Sequence, residues 1–188
     1  MKTIYFITGN KGKLAEIENK LQSVEIRVIQ KNIGYPEIQT DTLEDVVRFG
    51  VEYIKKRFSL PFIIEDAGLF IDALKGFPGV YSKYVFYTIG CKGILKLLSY
   101  TDDAQRTAVF KSVYALSEPD KDPILFKGEC FGKISMSELG AGGFGYDPIF
   151  TPDNETKTFA QMSIKEKNMI SHRGKAIEKM IKFLKNKK

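Results

Sequence analysis

The segment "TIYFITGNKGK" (3–13) predicts the start of an α/β fold, because a strand pattern passes through a short turn into a helix pattern. Its first part, "TIYFIT" (3–8), is apolar and rich in β-branched residues, which is typical of a buried strand. Leu14, Ile17 and Leu21 then fall on one face of a helix. We therefore expect a buried strand followed directly by an amphipathic helix.

The chain continues this alternation and then changes pattern. "EIRVIQ" (25–30) and "LPFIIED" (60–66) predict strands, and Thr42 between them is expected to cap a helix. "RTAVFKSVYALS" (106–117) and "PILFKGECFGKIS" (123–135) alternate over their whole length and predict a β-hairpin. Strand–helix alternation followed by a hairpin predicts an α/β protein with a mixed sheet. Helical stripes are formed by Leu43, Val46, Val47, Val51, Ile54 and Phe58, by "GILKLL" (93–98), and by Ile177, Met180, Ile181 and Leu184.

Composition places the chain among ordinary globular proteins. Its 188 residues, 43% hydrophobic and 28% charged, suggest a single domain over residues 1–188. Cys91 and Cys130 form no CxxC pair, which favours a reduced, cytoplasmic location. We expect no signal peptide, and no run approaches the roughly 18 apolar residues of a membrane span.

The formal net charge of +6 suits an anionic partner, either nucleic acid or a small phosphate compound. The alternative is a lysine-rich surface that only contacts water. The lysines are dispersed, and the only dense run is "KFLKNKK" (182–188).

The turn "TGNKGK" (8–13) is a candidate phosphate site. Backbone N–H groups at a helix start attract phosphate, and Lys13 adds positive charge. The turn is not a Walker loop, because GxxxxGK[ST] is absent. The alternative is an ordinary strand–turn–helix in which Asn10 caps the helix.

The loop "GAGGFG" (140–145) matches GxGxxG, yet it does not predict a dinucleotide fold. That fingerprint must follow a strand and open a helix, whereas Pro148 pushes Asp147 away from helical geometry. Glycines here would let the backbone approach a neighbour closely, with Phe144 or Tyr146 offering a flat face. The alternative is a flexible loop.

Two carboxylates, Glu65 and Asp66, end the strand at 60–66. Successive strand side chains point to opposite faces, so both cannot serve one site. Mg²⁺ in proteins usually takes one or two carboxylates and leaves the rest to water and phosphates. One of this pair with a loop carboxylate such as Glu37 would suffice; the alternative is a pair of surface charges.

His172 is the only histidine in the chain and lies just before the last helical stripe. Zinc is not expected, because no second histidine exists and the two cysteines are scattered. The alternative to a binding role is an exposed residue in the first turn of the helix, with Ser171 as the cap.

Taken together, these motifs resemble the inosine triphosphate pyrophosphatase family, also called Ham1-like, over residues 3 to about 184. No single motif decides this, but eight occur in the family's order at compatible spacings. They are "TGNKGK" (8–13), "PEIQ" (36–39), "EDAGL" (65–69), "GFPGVYS" (76–82), "FGYDPIF" (144–150), "FAQM" (159–162), "EKN" (166–168) and "SHR" (171–173).

The resemblance implies hydrolysis of ITP, dITP and XTP to the monophosphate and pyrophosphate with Mg²⁺, which cleanses the nucleotide pool. It implies a homodimer, with a long mixed sheet between two lobes and the site in the cleft. The partner is then a small nucleoside triphosphate rather than a specific nucleic acid or a membrane. Asp66 would be the general base and, with Glu37, a metal-site carboxylate. The other residues so implied are Thr8, Gly9, Asn10, Lys11, Gly12 and Lys13 at the phosphates, Ala67 beside the substrate, and Phe144, Gly145, Tyr146, Asp147, Lys167, His172 and Arg173 at the nucleotide and base.

Two positions depart from the family's pattern. Many members have serine or threonine where this chain has Ala67, so one hydroxyl contact is missing. Many also have a phosphate-binding lysine on the second helix, where this chain offers Phe49 and Gly50, with Arg48 the nearest cation. Whether Arg48 substitutes is left open.

The residues leave two rival functions open. A Maf-like pyrophosphatase would act on other modified nucleotides, and a nucleotide panel separates it from the Ham1-like activity. A basic nucleic-acid-binding module would lose affinity steeply as salt rises.

Overall fold

The computed structural model describes residues 2–21 and 24–186, so Lys187 and Lys188 of the terminal basic run lie outside it. Within these residues the elements are β1 (Lys2–Ile7), α1 (Lys11–Leu21), β2 (Ile26–Lys31), α2 (Leu43–Lys55), β3 (Phe62–Ile71), β4 (Pro78–Gly79), α3 (Ser82–Thr88), α4 (Gly90–Leu97), β5 (Thr107–Ser117), β6 (Ile124–Ile134), β7 (Phe150–Pro152), α5 (Ile164–Ile170) and α6 (His172–Asn186). None of these described helices is long and apolar enough to cross a membrane.

The strands form one mixed sheet in the order β2-β1-β3-β5-β6-β7, with β4 added along β3. β1 runs parallel to both β2 and β3, whereas β3, β5, β6 and β7 pair antiparallel. The predicted mixed α/β sheet and the hairpin of β5 and β6 are therefore confirmed. The division into two lobes stays a prediction.

Strand β3 changes partners along its length, and this change creates the site. Its first residues pair with β1, through Tyr5↔Phe62 and Phe6↔Ile63, and its far half pairs with β4 from Leu69 onward. Between Ile63 and Leu69, no strand among the described residues pairs with this edge, while β5 continues along the other edge. In α/β sheets, ligands bind in the crevice beyond the carboxyl ends of parallel strands, where neighbouring strands diverge.

Side chains that alternate along the strands divide the core between the two faces of the sheet. Phe6 and Ile63 pack with α1 and α6, whereas their neighbours Ile7 and Ile64 pack with α2. A third cluster lies around the far half of β3, where Leu69 meets residues of α3 and α4. Each fully buried large apolar side chain contributes about 1.5–3 kcal/mol, so packing on both faces holds the strand ends rigidly.

A capping side chain sets the start of α2, and two predicted element ends differ from the observed ones. Thr42 caps α2 by accepting a hydrogen bond from the Asp45 N–H at 3.1 Å, as predicted. The strand expected at 60–66 runs on to Ile71, because all of β3 pairs with β5. Helix α2 ends at Lys55, so Phe58, which the predicted stripe included, lies beyond the helix.

Candidate active site

The turn after β1 is built as a helix N-terminus with a lysine beside it. The Asn10 side-chain oxygen accepts a hydrogen bond from the Lys13 N–H at 3.1 Å, and the Asn10 N–H donates to the Thr8 hydroxyl at 3.1 Å. Asn10 is therefore the helix cap, as the simpler interpretation expected. The Lys13 ammonium does not extend into solvent: it lies 2.7 Å from Glu65 Oε2 and donates to the Glu65 carbonyl at 3.2 Å.

Glu65 and Asp66 occupy opposite faces of β3, as alternation predicts. Glu65 is buried against Lys13, Ser112 and Arg173. Burial alone would raise the pKa of Glu65, but Arg173 and Lys13 together hold that pKa below its ordinary value. Glu65 is therefore an ionised carboxylate whose charge is already paired.

Asp66 is the carboxylate left available for chemistry, and part of its surface is exposed. Burial raises the pKa of Asp66 to about 6; Lys13 opposes this shift, while Glu65 and Glu37 add to it. A carboxylate with a pKa near neutrality can accept a proton at physiological pH and return it. The alternative of a plain surface charge does not fit this environment.

The face of β3 that carries Asp66 also holds the loop before α2. Burial, and then the negative charges of Asp66, Glu65 and Glu37, raise the pKa of the Tyr35 phenol. Tyr35 fits there because Gly50 has no side chain: a Cβ on Gly50 would lie 3.0 Å from the Tyr35 ring. Glu37 itself is exposed and pairs with Lys83 of α3 at 2.5 Å.

Asp66 and Glu37, on the Asp66 face of β3, suit a metal ion that takes only a few ligands from the protein. Residues 2–21 and 24–186 contain no cluster of three or more His, Cys, Asp or Glu side chains that could hold a metal ion. Two carboxylates, Asp66 and Glu37, with water and phosphate oxygens are the ligands that Mg²⁺ usually takes. Burial, and then the charges of Glu65 and Glu37, raise the pKa of Asp66, and a divalent cation beside these carboxylates would offset that negative charge.

On the other face, six ionic side chains form a buried network in which three acids meet three bases. Lys167 lies 2.6 Å from Glu16 and 2.5 Å from Asp147. Arg173 lies 2.9 Å from Glu65 and 3.5 Å from Glu16. Lys13 completes the set through Glu65. Because each charge is paired, the network can hold fixed donors and acceptors away from water.

Glu16 is the residue of this network that sequence reasoning missed. It is 3% exposed, yet the pattern Lys13, Glu16, Lys20 looks like ordinary ion pairing along a helix surface. Nothing in its local sequence distinguishes it from an exposed glutamate. Lys83, the partner of Glu37, was not singled out either; it directly follows the motif at 76–82 and is an exposed lysine.

His172 is fully buried, so the alternative of an exposed residue is wrong. Its ring stacks on Phe110 with centroids 4.6 Å apart, and neither ring nitrogen has a hydrogen-bond partner. Burial, and then Arg173 and Lys167, hold the pKa of His172 well below its ordinary value. The ring is therefore neutral. Ser171 does cap α6, because its hydroxyl accepts a hydrogen bond from the Gly174 N–H at 3.1 Å.

The glycine-rich loop brings Phe144 to this network. The Phe144 N–H donates to Asp147 Oδ2 at 2.8 Å, and the Phe144 ring lies 4.8 Å from Lys167 Nζ and from Arg173 Cζ. Tyr146 is turned into the core, since its hydroxyl donates to the Ser82 carbonyl at 3.1 Å. Of the two aromatic candidates, only Phe144 presents a partly exposed ring.

The glycines of this loop act as expected, and no dinucleotide fold is present. Gly143 and Gly145 adopt positive φ angles of 69° and 63°. A Cβ on Gly143 would lie 2.1 Å from Asp147 Oδ2, so a side chain there would disrupt the turn. The loop leads into a 3₁₀ turn, Asp147–Ile149, rather than an α-helix.

The two departures from the family pattern lie on the Asp66 side. Ala67 is partly exposed next to Asp66 and offers no hydroxyl. Arg48 is exposed on α2 near Asp45, whose pKa is lowered by hydrogen bonds from Thr42 and Thr40 and then by the Arg48 charge. A role for Arg48 in place of the missing lysine stays an open alternative, whereas Lys83 is the cation that pairs with Glu37.

Comparisons with known proteins point to one group. The model of the Ham1 family matches residues 4–183. The dITP/XTP pyrophosphatase of Pyrococcus horikoshii is 51% identical over 182 residues, covering 97% of this chain and 96% of the relative. The dITP/XTP pyrophosphatase of Thermococcus kodakarensis is 47% identical over 180 residues, covering 96% of each.

Solved structures agree over almost the whole chain. A HAM1 protein from Coxiella burnetii superimposes with a TM-score of 0.86 at 32% identity, covering 99% of this chain and all of that one. The Ham1 protein of Staphylococcus aureus gives a TM-score of 0.83 at 32% identity, covering all of both chains.

Proposed function

This chain belongs to the Ham1 family, and from that membership and the site geometry we propose that it is a nucleoside triphosphate pyrophosphohydrolase. It cleaves the bond between the α and β phosphates of non-standard purine nucleotides (ITP, dITP and XTP), releasing the monophosphate and pyrophosphate. The observation that carries this proposal is the position of Asp66. A carboxylate with a pKa near 6 lies at the partner change of β3, beside Lys13 and the start of α1.

Mg²⁺ is the proposed cofactor, held by Asp66 and Glu37. When bound there, it would supply charge neutralisation for the phosphate oxygens. Glu37 must then release Lys83, to which it is paired at 2.5 Å.

The proposed chemistry of this chain is proton transfer and phosphate positioning. Asp66, ionised at neutral pH, accepts the proton of the attacking water. The backbone N–H groups of the turn from Thr8 to Lys13 and the Lys13 ammonium hold the phosphates. Because these groups are fixed by strand and helix ends, positioning and electrostatics carry most of the acceleration.

Base choice follows from donors and acceptors in the buried network. Hypoxanthine presents an acceptor at O6 and a donor at N1, whereas adenine presents the reverse. Arg173 has donors only and suits O6, and an ionised Asp147 accepts a hydrogen bond from N1–H. Mispaired buried polar groups are costly, so this arrangement rejects adenine. Lys167 and His172 support the same pocket, with Phe144 stacking on the base.

The assembly and location are further proposals. We expect one domain over residues 1–188 and a homodimer in the cytoplasm. The two cysteines, Cys91 and Cys130, are buried and unpaired, which suits a reducing compartment.

The test is pyrophosphate release from ITP, dITP, XTP, ATP and GTP, with and without Mg²⁺. We expect release from the first three substrates and only with the metal. Asp66→Asn should nearly abolish turnover while nucleotide still binds, and wild-type turnover in that variant would remove Asp66 from the base role. Arg173→Ala should lower the ratio of kcat/KM for ITP to kcat/KM for ATP. An unchanged ratio would show that Arg173 does not distinguish the two bases.

A further inference from the structure

The side chains proposed to read the base are all covered in this structure. Lys167 is 3% exposed, Asp147 2%, Arg173 6% and His172 not at all. The partly exposed ring of Phe144 lies directly over two of them, at 4.8 Å from Lys167 Nζ and from Arg173 Cζ. Phe144 thus covers two members of this group, Lys167 and Arg173.

The spacing leaves no room for a base beneath that ring. Atoms of stacked groups meet at about 3.5–4.0 Å, so a purine inserted between Phe144 and Arg173 would need a separation of about 7 Å. The ring therefore has to leave this position before a purine edge can reach Arg173. Contacts between the ring and the two cations favour the covered state, because desolvated cation–π pairs are stabilising.

One edge of the ring, at Cδ1 and Cε1, rests on Gly12 in the first turn of α1. A Cβ on Gly12 would lie 2.4 Å from Cδ1 and 2.6 Å from Cε1 of Phe144, closer than any real contact. The ring can occupy this position only because residue 12 has no side chain. Gly12 therefore serves as a seat for the ring.

We propose that Phe144, seated on Gly12, is a plug that closes the base pocket of the free enzyme and swings out when a purine enters. Gly12 is the positioning residue that sets how often the pocket is open. This inference rests on the proposed function, since it concerns access to the same pocket.

The plug moves by side-chain rotation rather than by opening of the whole loop. The main chain of Phe144 is tied down, because its N–H donates to Asp147 Oδ2 and that carboxylate also pairs with Lys167. A closed fraction lowers the apparent affinity, since the observed dissociation constant is the intrinsic one divided by the open fraction. Displacing the Phe144 ring should therefore raise the affinity of the protein for the base. If the ring were instead a fixed surface on which the base stacks, displacing it would lower that affinity.

The experiment measures binding of inosine monophosphate to the wild type and to Gly12→Ala, by stopped-flow kinetics and calorimetry. Alanine at position 12 pushes the ring off its seat but leaves the ring itself unchanged. Gly34→Ala is the matched control, because a Cβ there meets no atom within 4 Å. Pyrophosphate binding with Mg²⁺ is measured alongside, to detect any damage to the phosphate turn.

We expect Gly12→Ala to increase the association rate constant for inosine monophosphate by about tenfold and to lower its Kd, with Gly34→Ala unchanged. Phe144→Ala, which lacks the plug altogether, should show the same faster association together with faster dissociation. An unchanged or slower association in both variants would overturn the plug and leave the proposed function intact. If the wild type fails to bind inosine monophosphate and to hydrolyse ITP, the proposed function falls, and the plug with it.

Discussion

Replacement of Glu16 by glutamine tests whether the buried ionic network holds this protein together. Glutamine keeps the size of the side chain but removes the charge that faces Lys167 at 2.6 Å and Arg173 at 3.5 Å. The network then carries one uncompensated positive charge in a site that excludes water. Removing one partner of a buried pair costs about 3–5 kcal/mol. The amide oxygen can still accept a hydrogen bond from Lys167, so we expect about 3 kcal/mol.

The matched control is Glu178→Gln on α6. Glu178 also has two lysine partners, Lys20 at 3.9 Å and Lys182 at 3.2 Å, but its side chain is 49% exposed. Solvent-exposed pairs of this kind contribute about 0–1 kcal/mol. Any effect of this variant should also diminish in high salt, whereas that of Glu16→Gln should persist.

Urea denaturation at pH 7 measures both variants, with the midpoint expected to fall and the m-value to stay constant. For a domain of this size, about 3 kcal/mol corresponds to a Tm lowered by about 6–12 °C. Equal stability of Glu16→Gln and Glu178→Gln would contradict this expectation, because burial would then make no difference to the strength of the ion pairs. As a second readout, Glu16→Gln should lower the ratio of kcat/KM for ITP to kcat/KM for ATP, because Arg173 and Lys167 both lose the carboxylate that holds them in place.

Three further predictions concern titration and close packing. At limiting Mg²⁺, kcat/KM should fall on the acidic side with an apparent pKa near 6, because activity needs ionised Asp66. Carbon NMR of the metal-free protein follows the titration of the Asp66 carboxyl group directly. In Glu37→Gln this titration should move to lower pH, because the Glu37 charge helps to raise the pKa of Asp66. The Cε1–H resonance of the His172 ring should not shift between pH 8 and pH 5, because the buried ring stays neutral, and a titration near pH 6.5 would contradict the burial. In the unfolded chain the same ring takes up a proton near pH 6.5. The free energy of unfolding should therefore decrease as the pH falls below 6.5. Gly128→Ala should lower both stability and activity, because a Cβ there would lie 2.0 Å from the His172 carbonyl oxygen and displace the start of α6; Gly34→Ala serves again as the control, and equal melting temperatures would contradict the close approach.

Local features of this fold could be predicted because they depend on neighbours in the chain. The strand at residues 3–8, the helix stripe after it and the hairpin all follow from side-chain periodicity. The caps at Asn10 and Thr42 require only a side chain that reaches three residues ahead. Opposite roles for Glu65 and Asp66 also follow, since a strand turns successive side chains to opposite faces.

The arrangement of the site depends on contacts between distant parts of the chain, which no local pattern encodes. Arg173 pairs with Glu16, 157 residues away, and this pairing turns an apparently ordinary surface glutamate into a buried one. His172 loses contact with water only because α6 packs its first turn against Phe110 of β5. Phe144 comes to rest on Gly12 because the glycine-rich loop packs against the first turn of α1, more than 100 residues earlier in the chain. The sequence thus determined which elements form and which residues are chemically able to act, and tertiary packing decided which of them are desolvated and paired, because burial is a property of the assembled core.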